Sequence, residues 1–315
     1  MNMYVGMMLV AVVFLALQFS TNRAYGLKCG TGAESSLTFA CLSDAISTGI
    51  CILIAFLFEG SLTFPIYSLL LAGIIAVLCL AYKIIGFKIM ALGNLSVFTM
   101  FLMLGGMMLP YLFGVIFLDE RISACRIIGI VLLSFSMIFP VLAHKKDGKN
   151  NKRKDNLVFF LLCTVVFCLN GGVSIISKIH QISSNTHITC SPANFSALSN
   201  FISMLVSRIS LTMVKKQKKK AESISGKTTI SLFACVKKSF ILYIVIGQAA
   251  FGCISYVLQL IAASHVEASM LYPMLTGGSI VLSAVAGYIF FKERPDKLSL
   301  IGLCISFAAT FLFLF

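Results

Sequence analysis

Ten apolar runs organise this chain, and each is long enough to cross a bilayer. They fall near residues 3–21, 36–58, 66–87, 94–118, 124–143, 157–180, 192–213, 239–263, 267–291 and 297–315. A hydrocarbon core about 30 Å thick needs about 20 apolar residues at the helical rise of about 1.5 Å each. The runs lack the polar/apolar alternation of barrel strands, so helices are the only spanning structure that fits. Composition agrees. Of 315 residues, 59% are hydrophobic and 11% charged, against about 25% charged in soluble domains. No basic residue precedes the first run, which therefore reads as helix 1 and not as a secretory signal. Trp is absent, which leaves Tyr for the interfacial belt.

The net charge of +14 invites a nucleic-acid reading, but its placement argues against one. Segments 144–156 and 208–238 carry +12 of it, as Lys-rich stretches between apolar runs. There is no aromatic interleaving or binding motif, so no nucleic-acid partner is expected. Cytoplasmic loops facing anionic lipid account for the charge. The loops joining helices 1–2, 3–4, 5–6, 7–8 and 9–10 hold 22 of the 25 Lys and Arg residues; only Arg121, Arg126 and Lys178 fall on the other side. The positive-inside rule then puts the 22 in the cytoplasm and both termini outside, most simply in the plasma membrane of a bacterial cell.

The two halves align with each other. Helices 4–5 match helices 9–10 at an offset of 173: Ser96 with Ser269, Gly105 with Gly278, Gly114 with Gly287, Glu120 with Glu293, Gly129 with Gly302. Helices 3 and 8 match at 174, as Tyr82 with Tyr256. Helices 2 and 7 match at 156, as Asp44 with Asn200, and helices 1 and 6 at 155, as Arg23 with Lys178. Five helices per copy is odd, so the second copy enters the membrane from the opposite side. The expected fold is an all-α integral membrane protein of ten transmembrane helices in two inverted-topology five-helix repeats. The first repeat covers 1–143, a basic linker 144–156, and the second repeat 157–315 with a basic loop at 214–238.

The ends of helices 4 and 9 carry a family resemblance. Gly114-Val115-Ile116-Phe117-Leu118-Asp119-Glu120-Arg121, followed by Gly129, and Gly287-Tyr288-Ile289-Phe290-Phe291-Lys292-Glu293-Arg294-Pro295, followed by Gly302, look like the ends of EamA-type repeats. The chain thus resembles the EamA branch of the drug/metabolite transporter superfamily. Ile122 stands where the second copy has Pro295. The resemblance implies a central cavity lined by helices 1–4 and 6–9, with helices 5 and 10 peripheral. It also implies export of a small solute such as an amino acid, metabolite, nucleotide-sugar or drug, without ATP hydrolysis.

Asp44 is the sharpest candidate site residue. It sits well inside helix 2, where an ionisable group is costly and faces a cavity or a partner; a structural bond to a neighbouring helix is the alternative. Arg23 and Lys178 end helices 1 and 6, where they either draw anionic solutes or snorkel to the interface. Gln18, Asn22, Asn170, Tyr82, Tyr256, Gln259 and Tyr272 are polar groups inside apolar spans. Each can hydrogen-bond a solute or bridge helices. Asn170-Gly171-Gly172 and Tyr272-Pro273 are places where helical bonding can weaken. Gly106, Pro110 and Gly114, like Ser279, Ser283 and Gly287, recur every four residues and let helices approach closely, within the monomer or in a homodimer. Glu120 and Glu293 are expected near the N-terminus of the following helix.

Other chemistries find little support. No Cys or His spacing suits a metal, and Gly226-Lys227-Thr228 lacks the first glycine of a phosphate loop. No catalytic constellation is evident, and no cofactor is expected. Helix 1 holds no carboxylate, since the first acidic residue is Glu34. If protons drive the solute, Asp44 is the group to carry them. A secondary transporter leads; a membrane scaffold or sensor on the same fold, or a nucleotide-sugar exchanger, are the alternatives.

Overall fold

The computed structural model describes residues 2–30, 32–92, 95–120, 122–136, 138–139, 153–225, 239–292 and 297–313. Among them are ten α-helices and no strand. They are α1 (Asn2–Cys29), α2 (Ala33–Glu59), α3 (Ile66–Leu92), α4 (Leu95–Phe117), α5 (Ala124–Ser136), α6 (Arg153–Ile182), α7 (Pro192–Ser225), α8 (Ser239–Ala263), α9 (Ala268–Phe291) and α10 (Lys297–Leu312). Six of the described helices are long and apolar enough to span a bilayer: α1, α2, α6, α7, α8 and α9. The others carry shorter apolar stretches.

The apolar runs and the helices coincide closely, with one correction. The segment 214–238, expected as a loop, is helical to Ser225, because Lys, Gln, Ala and Glu are all good helix formers and charge alone does not end a helix. Most of the linker 144–156, with Arg121, Glu293, Arg294 and Pro295, lies outside the described residues.

The outer surface is apolar. Phe58, Phe117 and Phe290 are 84%, 71% and 63% exposed. A patch of that kind around the whole bundle belongs against lipid. Inside, helices from the two halves of the chain pack on one another: α2 on α7, α1 on α8 and α9, α3 on α6 and α7, α4 on α6 and α9, and α5 on α10. Glycines make the tightest crossing. A Cβ on Gly105 of α4 would stand 2.1 Å from the Phe167 carbonyl oxygen, and one on Gly171 of α6 would stand 2.7 Å from the Gly105 oxygen. Neither suspected weak point breaks its helix, since α6 runs through Gly171-Gly172 and α9 through Pro273.

Helices α4 and α9 end alike. Asp119 and Lys292 take left-handed backbone, with φ of 50° and 55°, and they are 173 positions apart, the offset of the repeat. After Asp119 the chain doubles back, and Glu120 N–H donates to the Gly114 oxygen at 3.2 Å. A side chain at 114 would stand 2.5 Å from the Glu120 carboxylate and would push it aside. Gly106 faces Asn170. The small residues of α4 are thus used within the chain.

Candidate functional site

A cavity of about 600 Å³ lies between the two halves. Helix α1 contributes Gln18 and Asn22, α2 contributes Asp44 with Ser43 and Ser47, and α3 contributes Tyr82. From the second half come Asn200 and Ser203 of α7, and Gln248, Tyr256 and Gln259 of α8. Seven of the eleven residues singled out in the sequence therefore share one cavity. Helices α4 and α9, expected in the wall, supply none of its described residues; they pack behind it, α4 on α6 and α9 on α1.

Several polar groups of this wall are committed to the protein. Ser47 Oγ donates to the Ala249 oxygen at 3.2 Å, and Ser255 Oγ to the Ala11 oxygen at 2.8 Å, each fastening helices from opposite halves. Thr21 Oγ1 donates to Gln248 Oε1 at 2.6 Å. The Asn200 amide donates to Ser196 Oγ at 3.4 Å, and Tyr256 OH lies 3.1 Å from Ser177 Oγ. Gln18 instead lies along Gly252, where a Cβ would stand 2.9 Å from its Nε2.

The four remaining candidates do not line the cavity. Arg23 is exposed on the last turns of α1. Asn170 Nδ2 donates to the Leu102 oxygen at 2.7 Å, bridging α6 to α4, and Tyr272 OH donates to the Ser174 oxygen at 2.6 Å, bridging α9 to α6. Lys178 is buried, 4% exposed, and neither reaches a vestibule nor snorkels. Its ammonium donates to the Ala263 and Val266 oxygens at 2.7 and 2.6 Å, satisfying carbonyls at the end of α8 where the helix dipole favours a cation.

Glu120 also acts across the halves. Its carboxylate accepts from Ala268 N–H at 2.6 Å and Ser269 N–H at 2.7 Å, so it caps the N-terminus of α9 and not that of the following helix α5. Arg126 pairs with Glu267 and donates to Ser269 Oγ. The turn between α8 and α9 is thus held from both sides, by Lys178 at the end of one helix and Glu120 at the start of the next.

The ends of the cavity differ. Toward the turn between α1 and α2 it reaches Asn22 and Gly30, both exposed. Beyond its other end, Ser68 of α3 and His180 of α6 are buried, and Ser68 Oγ lies 2.8 Å from His180 Nε2. Cys190 N–H donates to the same hydroxyl at 3.0 Å. The His180 ring stacks on Phe195 at 3.6 Å between centroids, and Gln181 Nε2 lies 2.9 Å from its Nδ1. At the open end Tyr25 stacks on Phe39 at 4.1 Å. Tyr25 and His180 are 155 positions apart, and Phe39 and Phe195 are 156 apart, the offsets at which the helices align. Reading His180 only for metal spacing missed it; applying the repeat offsets residue by residue would have paired it with Tyr25.

A bundle of apolar helices that face lipid and enclose a cavity lined in part by polar side chains defines a multi-pass membrane protein. Residues 187–315 match the model of the EamA-like transporter family. The whole chain is similar in fold to a solved structure described only as a crystal structure of protein, with a TM-score of 0.70 and 13% identity over 98% of this chain and 96% of that one. No curated protein matches it.

Proposed function

We propose that this protein is a secondary transporter that moves a small polar solute by alternating access, working as an exporter in the plasma membrane. The observation that carries the reading is the cavity itself: lined by polar side chains from both halves, with exposed residues at one end and buried ones beyond the other. A scaffold has no need of such a space in an apolar bundle.

The inverted repeat supplies the motion. Exchanging each helix for the one five places along turns α1 on α8 into α6 on α3, α1 on α9 into α6 on α4, and α2 on α8 into α7 on α3, and all of these contacts exist. Near-equivalent packing at the two ends lets one sequence reach two conformations of similar energy, each sealing the opposite end. The aromatic pairs Tyr25–Phe39 and His180–Phe195 are the equivalent elements. The positive-inside reading makes the open end cytoplasmic and both termini external, so the cavity loads from the cytoplasm, as export requires.

The test is reconstitution. Proteoliposomes holding the purified protein should accumulate at least one solute from a panel of amines, amino acids and sugars. Gly252→Leu, which projects a side chain at Gln18 into the cavity, should abolish that uptake without lowering the melting temperature by more than a few degrees. Vesicles no more permeable than protein-free ones across the panel, with folded protein inside, would sink the reading.

A further inference from the structure

Helices α2 and α8 come from opposite halves and pack on one another in a fixed register. Ser47 Oγ donates to the Ala249 oxygen at 3.2 Å, a pairing across 202 positions. One turn further along both helices stand Cys51 and Cys253, and one turn beyond those Ala55 and Val257, each pair at the same separation. These four share one buried cluster with Ala193 and Ala197 of α7. Rungs that repeat at one offset require parallel helices, because antiparallel ones would change the offset by about seven per turn. Small residues around the rung let the backbones approach closely, and close approach is what a disulfide needs.

The two thiols already meet. Cys51 and Cys253 are hydrogen-bonded to one another, and neither is bridged. Both are buried, yet each stands next to a residue of the cavity wall. Asn200, which lines the cavity, donates from Nδ2 to Cys51 Sγ at 3.9 Å, and Gly252, the chain neighbour of Cys253, lines it too. Burial shields the pair from bulky reagents and slows its reaction with small ones. Contact between the sulfurs favours the step that joins them. The repeat offsets equate Cys51 with Ser207 and Cys253 with Cys79. A serine cannot bridge, so only one of the two related helix pairs carries this dithiol.

We infer that Cys51 and Cys253 form a redox-sensitive dithiol site, which a peroxide arriving through the cavity converts to a disulfide tying the first half of the protein to the second. One thiol, as its thiolate, attacks a peroxide oxygen. The O–O bond breaks, the released hydroxide takes up the thiol proton as water, and the sulfur becomes a sulfenic acid. The second thiol attacks that sulfur, its proton leaves with the sulfenic hydroxyl as a second water, and the S–S bond forms. The two sulfurs lose two electrons and the peroxide gains them. A thiol reductant returns both electrons and reopens the bridge.

Oxidation of the purified full-length protein tests it. The protein is treated with hydrogen peroxide, denatured, alkylated with N-ethylmaleimide and digested without reductant for peptide mass spectrometry. A linked pair of peptides carrying Cys51 and Cys253 should appear, and alkylation of both residues should fall about tenfold or more. Dithiothreitol should reverse both changes. Because the bridge joins helices 202 positions apart, it should raise the melting temperature by several degrees. Neither Cys51→Ser nor Cys253→Ala should show that rise. The wild-type peptide map needs no variant, so it decides the matter even where a variant folds poorly. The inference is overturned if both thiols stay open to alkylation after peroxide, if Cys51 bridges a different cysteine, if the pair is oxidised to sulfinic acid without linking, or if the mapped bridge leaves the melting temperature unchanged. The bridge forms or fails whatever solute the cavity carries, so its outcome is separate from that of reconstitution.

Discussion

Ser68 Oγ lies 2.8 Å from His180 Nε2, joining α3 of the first half to α6 of the second at the sealed end of the cavity. Ser68→Ala removes the hydroxyl shared by His180 and Cys190 N–H, at a net cost of about 0.5–1.5 kcal/mol to the closed arrangement. That shifts the balance toward opening by about 2- to 10-fold. Cys190, buried and 3.9 Å from His180 Nε2, is a native reporter. Its modification by a membrane-impermeant maleimide, followed by peptide mass spectrometry, should speed up by the same factor. An unchanged rate would show that this contact does not hold the end shut.

Glu120→Ala should destabilise the fold by about 2 kcal/mol, since it strips two backbone N–H groups of α9 of a charged acceptor. The melting temperature in detergent would fall by several degrees. Glu120→Gln keeps one acceptor oxygen and should recover part of the loss.

Lys178→Met preserves the length of the stem and removes the ammonium. Two carbonyls at the end of α8 then lose their donor, for about 1–3 kcal/mol. Lys178→Arg should not restore stability, because a planar fork does not fit a site shaped for a compact ammonium. Solute binding measured on folded Lys178→Met should match wild type, because Lys178 does not line the cavity; weakened binding of an anionic solute would revive a vestibule role.

Gly105→Ala places a methyl 2.1 Å from the Phe167 oxygen and must push α4 from α6, at about 1–3 kcal/mol or more. Gly73, with nothing within 4 Å of a Cβ, is the control. The first variant should lose folded yield by size-exclusion chromatography, and Gly73→Ala should keep it.

What could be read from the sequence follows from range. Spanning segments depend on the length of an apolar run, a local property, and the helices appear where the runs lie. Asp44, Gln18 and Gln259 were visible because a polar group in an apolar span is conspicuous wherever it ends up. Lys178 and Glu120 were equally conspicuous, yet their partners are 85 and 149 positions away in some cases, and no local pattern shows which helix end a charge will meet. Ser68 carried no signal of its own, since a lone serine is unremarkable until His180 is brought beside it.

The first five helices touch one another little among the described residues, and most of their packing is with the second five. A ribosome delivers α1 to α5 first. During that interval Asp44, Ser47 and Glu120 have entered or neared the membrane without the helices that will shelter them. Assembly therefore waits on the C-terminal half, and a chain stopped after residue 143 should be cleared by quality-control proteases instead of persisting as a domain. Fusing the two halves in the opposite order keeps every partner present and gives the same bundle a different birth order.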